Sequence, residues 1–527
     1  MSILGTERLR SAPRRYTWAV PPALLGLLVP LALLLLWSLA SSERWMPRQI
    51  LPPPSLVWQT AVGLWHSGAL AQLGVSLALL AKGLLFGVIG GVLIGVAMGL
   101  SRRAEDIIAP SFYAFAQIPS LAWIPLLIVY LGIGDALKLF LIFKAVVVPV
   151  AVHVQTGVRD VPPQLRESAA ALRLPWALRF WRLTLPAALP AFLTGLRLAL
   201  MAAWMTLIAV ELLASSEGIG YLMVWGRQLF MLDIVFVCIL VIGLFGIVLD
   251  RSIQYVDRRL LHWPHPPAAE LRRSTSGQGW QRVQPWLLPA ALLVLWQLST
   301  QLHWIDNNIL AAPLSVLHAT WLGLLDGSLL DAMARSLGRT LGGLLLGGGL
   351  GLLLGIVLGL WRPAERLFGP TLSALRQIAI FAWVPLLTAW FGLGEGAKLV
   401  FVGLATFFPL FVATQRGIAN LSSQLDEASR VLRLNRRQRL WRLVLPGAAP
   451  AIFAGLRLAL IYAWLGTIGA EYFMPSNGGI GSLMIGAQQL FRMDQVLAGM
   501  LLVGLTGALL NTLGQRIEAR ATRWRNA

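Results

Sequence analysis

The chain is short of charge. Asp, Glu, Lys and Arg make up 13% of its 527 residues, roughly half the share found in soluble domains. With 57% hydrophobic residues and a mean hydropathy of +0.71, that shortage excludes a water-soluble globule and a disordered chain alike. Cysteine is nearly absent. The single Cys238 excludes an intrachain disulfide, and its place in an apolar run with no evident activating base reads as packing. Lysine is scarce: Lys82, Lys138, Lys144 and Lys398 are four of 43 basic residues. None lies in a Gly-x-x-x-x-Gly-Lys-[Ser/Thr] context, so the sequence lacks the phosphate-cradling loop of an ATPase. It also lacks His-Glu-x-x-His and Gly-x-Ser-x-Gly, which leaves a membrane-embedded hydrolase without machinery. No metal site is expected. What is abundant is apolar length and arginine. A net charge of +20 would point to nucleic acid in a soluble chain. In a membrane chain the same surplus collects in cytoplasmic loops and sets orientation, and no nucleic-acid partner is expected.

Apolar runs long enough for the hydrocarbon core occur at 18–39, 73–100, 108–131, 137–154, 192–213 and 232–249. A second series follows at 286–302, 333–360, 371–391, 399–414, 452–473 and 496–513, twelve in all. The first run could be a signal peptide, but it is too long for one, and a similar run recurs mid-chain at 286. It reads as a retained span. If the N-terminus is cytoplasmic and the spans alternate, inside segments hold 30 Lys and Arg and outside segments 6. This asymmetry places both termini in the cytoplasm.

The chain is one unit written twice, at an offset of 260 residues. Residues 117–138 share 10 of 22 identities with 377–398, and residues 166–204 share 21 of 39 with 426–464. Six spans per unit, an even number, give both units one orientation: a parallel repeat, not an inverted one. The expected fold is an all-α integral membrane protein of twelve helices in two six-helix repeats. The units are residues 1–257, with a core at 69–250, and 285–527, with a core at 329–514. Residues 258–284 carry Pro264-His265-Pro266-Pro267 and Ser274-Thr275-Ser276-Gly277 and read as a cytoplasmic linker.

After the fourth span of each unit comes a long, repeated cytoplasmic loop. The first reads Gln164-Leu165-Arg166-Glu167-Ser168-Ala169-Ala170-Ala171-Leu172 and runs on to Phe180-Trp181-Arg182-Leu183-Thr184-Leu185-Pro186. The second reads Leu425-Asp426-Glu427-Ala428-Ser429-Arg430-Val431-Leu432 and ends Leu440-Trp441-Arg442-Leu443-Val444-Leu445-Pro446. Pro162 and Pro163 suit a helix start, and Glu167 lies near the positive end of its dipole. Pro186 is expected to close a second short helix. Apolar residues alternating with Arg on a watery face fit either a lid on the bilayer or a docking element for a soluble partner.

These loops resemble the EAA loop of binding-protein-dependent ABC importers of the type I fold. Gln117-Ile118-Pro119-Ser120-Leu121-Ala122-Trp123-Ile124-Pro125, Gly195-Leu196-Arg197 and Gly218-Ile219-Gly220-Tyr221 narrow the resemblance to permeases of the nitrate/sulfonate/taurine type. It covers about 180 residues of each half. It implies two permease units fused in one chain of a bacterial inner membrane. Two separate ATPase subunits would hold ATP and Mg, and a periplasmic or lipid-anchored binding protein would deliver substrate. The coupling residues it implies are Glu167, Ala169, Ala170, Leu172, Arg182 and Pro186, with Glu427, Ala428, Leu432, Arg442 and Pro446 in the second loop. Family members usually carry Gly at the bend, where this chain has Arg173 and Arg433. Gly tolerates a positive φ, so the bend is where this chain departs from the family, and the sequence leaves its geometry open. The solute would be a small oxyanion or organosulfonate, with a thiamine-precursor-like pyrimidine as the alternative.

A twelve-helix secondary transporter is the rival reading. It would need intramembrane ion-coupling groups, and Glu211 and Glu471 are the candidates; the duplicated loop has no role in it. Trp123 and Trp383, between prolines in matching spans, are either core packing or pathway lining. The segments Gly218-Ile219-Gly220 and Gly479-Ile480-Gly481 are outside loops, either simple turns or part of an outer gate. The glycines of 342–359 let helices pack closely. Lys82, Lys144, Arg335 and Arg339 lie toward the outer half of the membrane. They either snorkel or pair with Glu211 and Glu471, or they line a positive vestibule for an anion.

Overall fold

The computed structural model describes residues 22–261, 284–304, 306, 309–421, 424, 427, 429, 431–476 and 478–523. Ala428 and most of the linker lie outside the described residues. Lipid offers no partners for backbone N–H and C=O groups, so a spanning segment must satisfy them within itself. Accordingly, every regular element among the described residues is helical.

The first half comprises α1 (Pro22–Ser42), α2 (Pro54–His66), α3 (Ala71–Leu100), α4 (Arg102–Gln117), α5 (Ile124–Leu131) and α6 (Asp135–Arg159). It continues with α7 (Pro163–Ala171), α8 (Trp176–Leu213), α9 (Ile219–Gln228) and α10 (Leu232–Leu260). The second half comprises α11 (Gln284–Gln301), α12 (Pro313–Leu325), α13 (Ser328–Leu360), α14 (Arg362–Leu375), α15 (Val384–Phe391) and α16 (Glu395–Ala419). It ends with α17 (Arg436–Phe473), α18 (Ile480–Gln489) and α19 (Met493–Ala521).

Glycine sets the closest helix pairs. In α3, Gly83, Gly87, Gly91, Gly95 and Gly99 form a stripe four residues apart that receives α6; a Cβ on Gly87 would lie 2.5 Å from Val146 Cβ. In α13, Gly343, Gly347, Gly351, Gly355 and Gly359 repeat the stripe against α16, where a Cβ on Gly347 would overlap the backbone of Gly403. Small residues that let backbones approach take the place of the hydrophobic effect, which is weak between helices in lipid.

Two expected spans are not straight. Residues 108–131 become α4 and, past residues 118–119, a segment bent by 87°; residues 371–391 become α14 and a segment bent by 89°. At the first break Pro119 cannot donate and forces Ile118 into an extended conformation (φ −75°, ψ 120°). At the second, Ala379 stands in place of the proline and the bend persists, so packing holds it. Among the described residues nine helices are long and apolar enough to span, or eleven counting each bent pair as one. The remaining run, 286–302, is the 18-residue α11, whose ends are polar.

The halves are interleaved. The first helix of each packs on the bent pair of the other: α1 on α14 and α11 on α4. At Gly26 an added Cβ would lie 2.8 Å from Pro370 Cγ. The main core is shared, with Leu121, Ala122 and Trp204 of one half in the same cluster as Phe381, Ala382 and Trp464 of the other.

Candidate coupling loops and central pathway

The helix α7 starts at Pro163, where a missing N–H costs nothing. It ends in a turn in which Leu174 N donates to Ala169 O at 3.1 Å and Arg173 N to Ala170 O at 3.0 Å. This is a Schellman closure, which needs a left-handed residue next to the helix end. Arg173 supplies it at φ +46°, and Arg433 does so at φ +48° in the second half. The bend therefore keeps the geometry that Gly would give, which answers the question the sequence left open: Arg accepts a conformation costing about 1–2 kcal/mol.

Pro186 does not close a short helix. Residues Trp176–Leu213 form one continuous helical run, in which Phe180–Thr184 is a π-turn just ahead of the proline. Leu440–Val444 repeats the π-turn ahead of Pro446 in Arg436–Phe473. A π-turn shifts the bonding register by one residue, which lets the helix pass a residue without an N–H. The first loop is thus a short helix, a left-handed bend and the protruding start of a long helix, and the second repeats the bend and the long helix. Glu167, Ala170, Arg182, Pro186, Glu427, Arg442 and Pro446 are exposed, whereas Ala169 is buried against the body. Large apolar groups stand out between the arginines: Leu172 is 71% exposed, Trp181 65%, Leu432 69% and Trp441 63%.

Glu211 and Glu471 are buried anchors. Glu211 accepts a hydrogen bond from the Ser76 hydroxyl at 2.6 Å and from Gly220 N at 2.9 Å, and Ser76 Oγ in turn accepts from Ile219 N at 3.0 Å. Glu471 repeats this with Ser336 at 2.6 Å, Gly481 N at 2.7 Å and Ile480 N to Ser336 Oγ at 3.0 Å. The Gly-Ile-Gly segments are therefore not loops: each opens a short helix, α9 or α18, and the carboxylate holds its free N–H groups. Gly218 (φ +102°) and Gly479 (φ +121°) cap these helices, and a Cβ on either would collide with the carboxylate. The serines were legible as a pair at the 260-residue offset but carry no motif of their own.

The basic candidates do not converge on one vestibule. Lys82 is exposed on the α3 face that carries Leu85, Phe86, Ile89 and Leu93. Lys144 is buried; its Nζ donates to Ile118 O at 2.7 Å, a carbonyl freed by the break, and lies 4.8 Å from the Phe115 ring centre. Arg339 is buried and pairs with Glu471 and Glu395, each at 2.6 Å. Arg335 pairs with Asp331 at 2.8 Å. Arg335 and Arg339 do line one open cavity of about 480 Å³ with Glu395. Trp123 is half-buried between Phe115 and Phe140, and Trp383 packs at the edge of the shared core. Sequence reasoning also missed a chain across the halves: Arg197 holds Asp250 at 2.7 Å, and Gln377 of the second half donates to the same carboxylate at 3.0 Å.

The chain is thus a duplicated, interleaved body of apolar helices with two matching loops that expose leucine and tryptophan between arginines. The chain belongs to the family of binding-protein-dependent transport system inner membrane components, whose sequence pattern matches twice, at residues 87–262 and 348–524. It is 37% identical over 246 residues to the putative aliphatic sulfonates transport permease of Escherichia coli (strain K12), covering 47% of this chain and 93% of that one. The taurine transport system permease of the same organism is 32% identical over 271 residues, 50% of this chain and 98% of that one. The bicarbonate transport system permease of Synechococcus elongatus is 30% identical over 254 residues, 45% and 90%. Each relative spans about half of this chain, as a single unit would. The family is one of ABC transporter permeases in the inner membrane, and neither the secondary transporter nor the embedded enzyme has support.

Proposed function

We propose that the chain is the whole membrane part of an ABC importer for a small oxyanion or organosulfonate. Two separate ATPase subunits bind ATP and Mg and dock on the loops around Glu167 and Glu427. A binding protein delivers solute to the opposite face, and both termini lie in the cytoplasm. The observation that carries this reading is the pair of loops, each exposing leucine and tryptophan between arginines where no described residue covers them. The arginine asymmetry puts that face inside. The sulfonate, taurine and bicarbonate named for the relatives share an oxyanion group, which supports the substrate class.

The test is a Glu167→Ala/Glu427→Ala double variant, reconstituted with its ATPase and binding protein. It should insert normally yet lose both uptake and the stimulation of ATP hydrolysis by loaded binding protein. Undiminished uptake with normal stimulation would end the assignment.

A further inference from the structure

The two halves place matching residues at the seam between them, yet they fill those places differently. In the first half, Asp250 on α10 projects its carboxylate toward the second break. Arg197 donates to it from Nε at 3.0 Å and from a terminal nitrogen at 2.7 Å, Gln377 donates at 3.0 Å, and Gln254 at 2.8 Å. Arg376, next to Gln377, adds its charge within electrostatic reach. This is an anion site, and the protein fills it with its own anion. It is also tight, since a Cβ on Gly246 would collide with the Gln377 carbonyl.

The matching seam has Asn511 for Asp250, at the offset of 261 that holds after the one-residue insertion near 477, and Ala116 for Arg376 and Gln117 for Gln377 at the offset of 260. Arg457 matches Arg197, and its Nε donates to Asn511 Oδ1 at 3.1 Å while a terminal nitrogen reaches Glu518 at 3.4 Å. The seam is looser: a Cβ on Gly507 would lie 3.5 Å from the Gln117 carbonyl. A cavity of about 140 Å³ opens there, lined by Gln117, Asn511, Trp464 and apolar groups including Pro119 and Leu465. Asn511 spends its oxygen on Arg457, so its amide N–H groups are left to donate. No protein acceptor takes the amide N–H groups of Asn511 or Gln117 among the described residues. Two half-buried amide donors against apolar walls, with an arginine behind one of them, suit an oxyanion, and the first half already pairs the same construction with a carboxylate.

We propose that the cavity between Gln117 and Asn511 is a transit site for the oxyanion group of the transported solute, occupying the place that Asp250 fills with its own carboxylate in the other half. The inference rests on the importer reading above and adds the location and the donors. Because the cavity lies between elements of both halves, motion of one half against the other would make and break it.

The experiment uses the full complex in proteoliposomes with labelled ethanesulfonate, taurine and bicarbonate. Asn511→Asp places a fixed carboxylate beside Arg457; the first half shows that an Arg–Asp pair folds at this position. Like charges set against each other repel, so import of the transported oxyanion should fall about tenfold or more. Insertion, and stimulation of ATP hydrolysis by loaded binding protein, should persist. Gln117→Leu, which removes a donor without adding charge, should also slow import. Import at the wild-type rate by both variants would overturn the site and leave the importer reading standing. A wild-type complex that imports none of the three anions would overturn the substrate class, and the site with it.

Discussion

A carboxylate taken out of water needs donors before it needs a counter-charge, and Glu211 and Glu471 share their hydroxyl and amide donors while Glu471 adds an arginine. Glu211 is held by one hydroxyl and one amide; Glu471 has the same two and Arg339 besides. A hydrogen bond to a charged group contributes about 1.5–3 kcal/mol. Ser76→Ala should therefore lower the thermal stability of the purified protein more than Ser336→Ala, because Arg339 remains beside Glu471. Equal losses would show that the arginine carries none of the anchoring. Lys82 gives the opposite case. It stands on an apolar outward stripe with its charge free to reach the interface, so Lys82→Gln should leave solute uptake within about twofold of wild type. A large loss of anion transport would return Lys82 to the pathway.

At the scale of elements, the chain bends where sequence would run straight and runs on where sequence would stop. Pro186 and Pro446 are passed by π-turns, while α4 and α14 break at right angles with and without a proline. Helix ends also carry strain: Arg173 and Arg433 hold positive φ that Gly would adopt freely. Arg173→Gly should raise stability by about 1 kcal/mol and keep uptake coupled to ATP hydrolysis, which a melting curve and a transport assay check together. The glycine stripe is less forgiving. Gly347→Ala puts a methyl group into the backbone of Gly403, and overpacking of this kind costs about 1–3 kcal/mol. Reduced folded yield is expected, with no comparable loss for Gly349→Ala, where nothing lies within 4 Å.

The whole molecule is a pseudo-dimer that cannot come apart. Helices α1 and α11 each lie across the other half, and the core is continuous between them. One copy should therefore supply every membrane helix that two separate subunits would otherwise provide. Mass measurement of the intact complex should give one 57.5 kDa chain with two ATPase subunits; two copies per ATPase pair would refute this. Cutting the chain within 262–283 and co-expressing the pieces should still give a paired complex, since α1 and α11 each pack on the other half and the core is shared.

The sequence alone determined the membrane class, the duplication, the arginine-rich face and the loops around Glu167 and Glu427. Each of these is written locally or by repetition: apolar length, a fixed offset, a charge bias, a motif. It also singled out Glu211, Glu471, Arg339 and Lys144 and offered Glu471 as a partner for Arg339, but not the remaining partners. Those partners are Ser76, Ser336, a freed carbonyl at Ile118 and Glu395, which lie from about 26 to 135 residues away along the chain. The right-angle breaks, the exchange of α1 and α11 and the contrast between Asp250 and Asn511 were decided by tertiary structure. A helix–helix seam places side chains by the closeness of two backbones, and no periodicity within either helix records what the other brings to it.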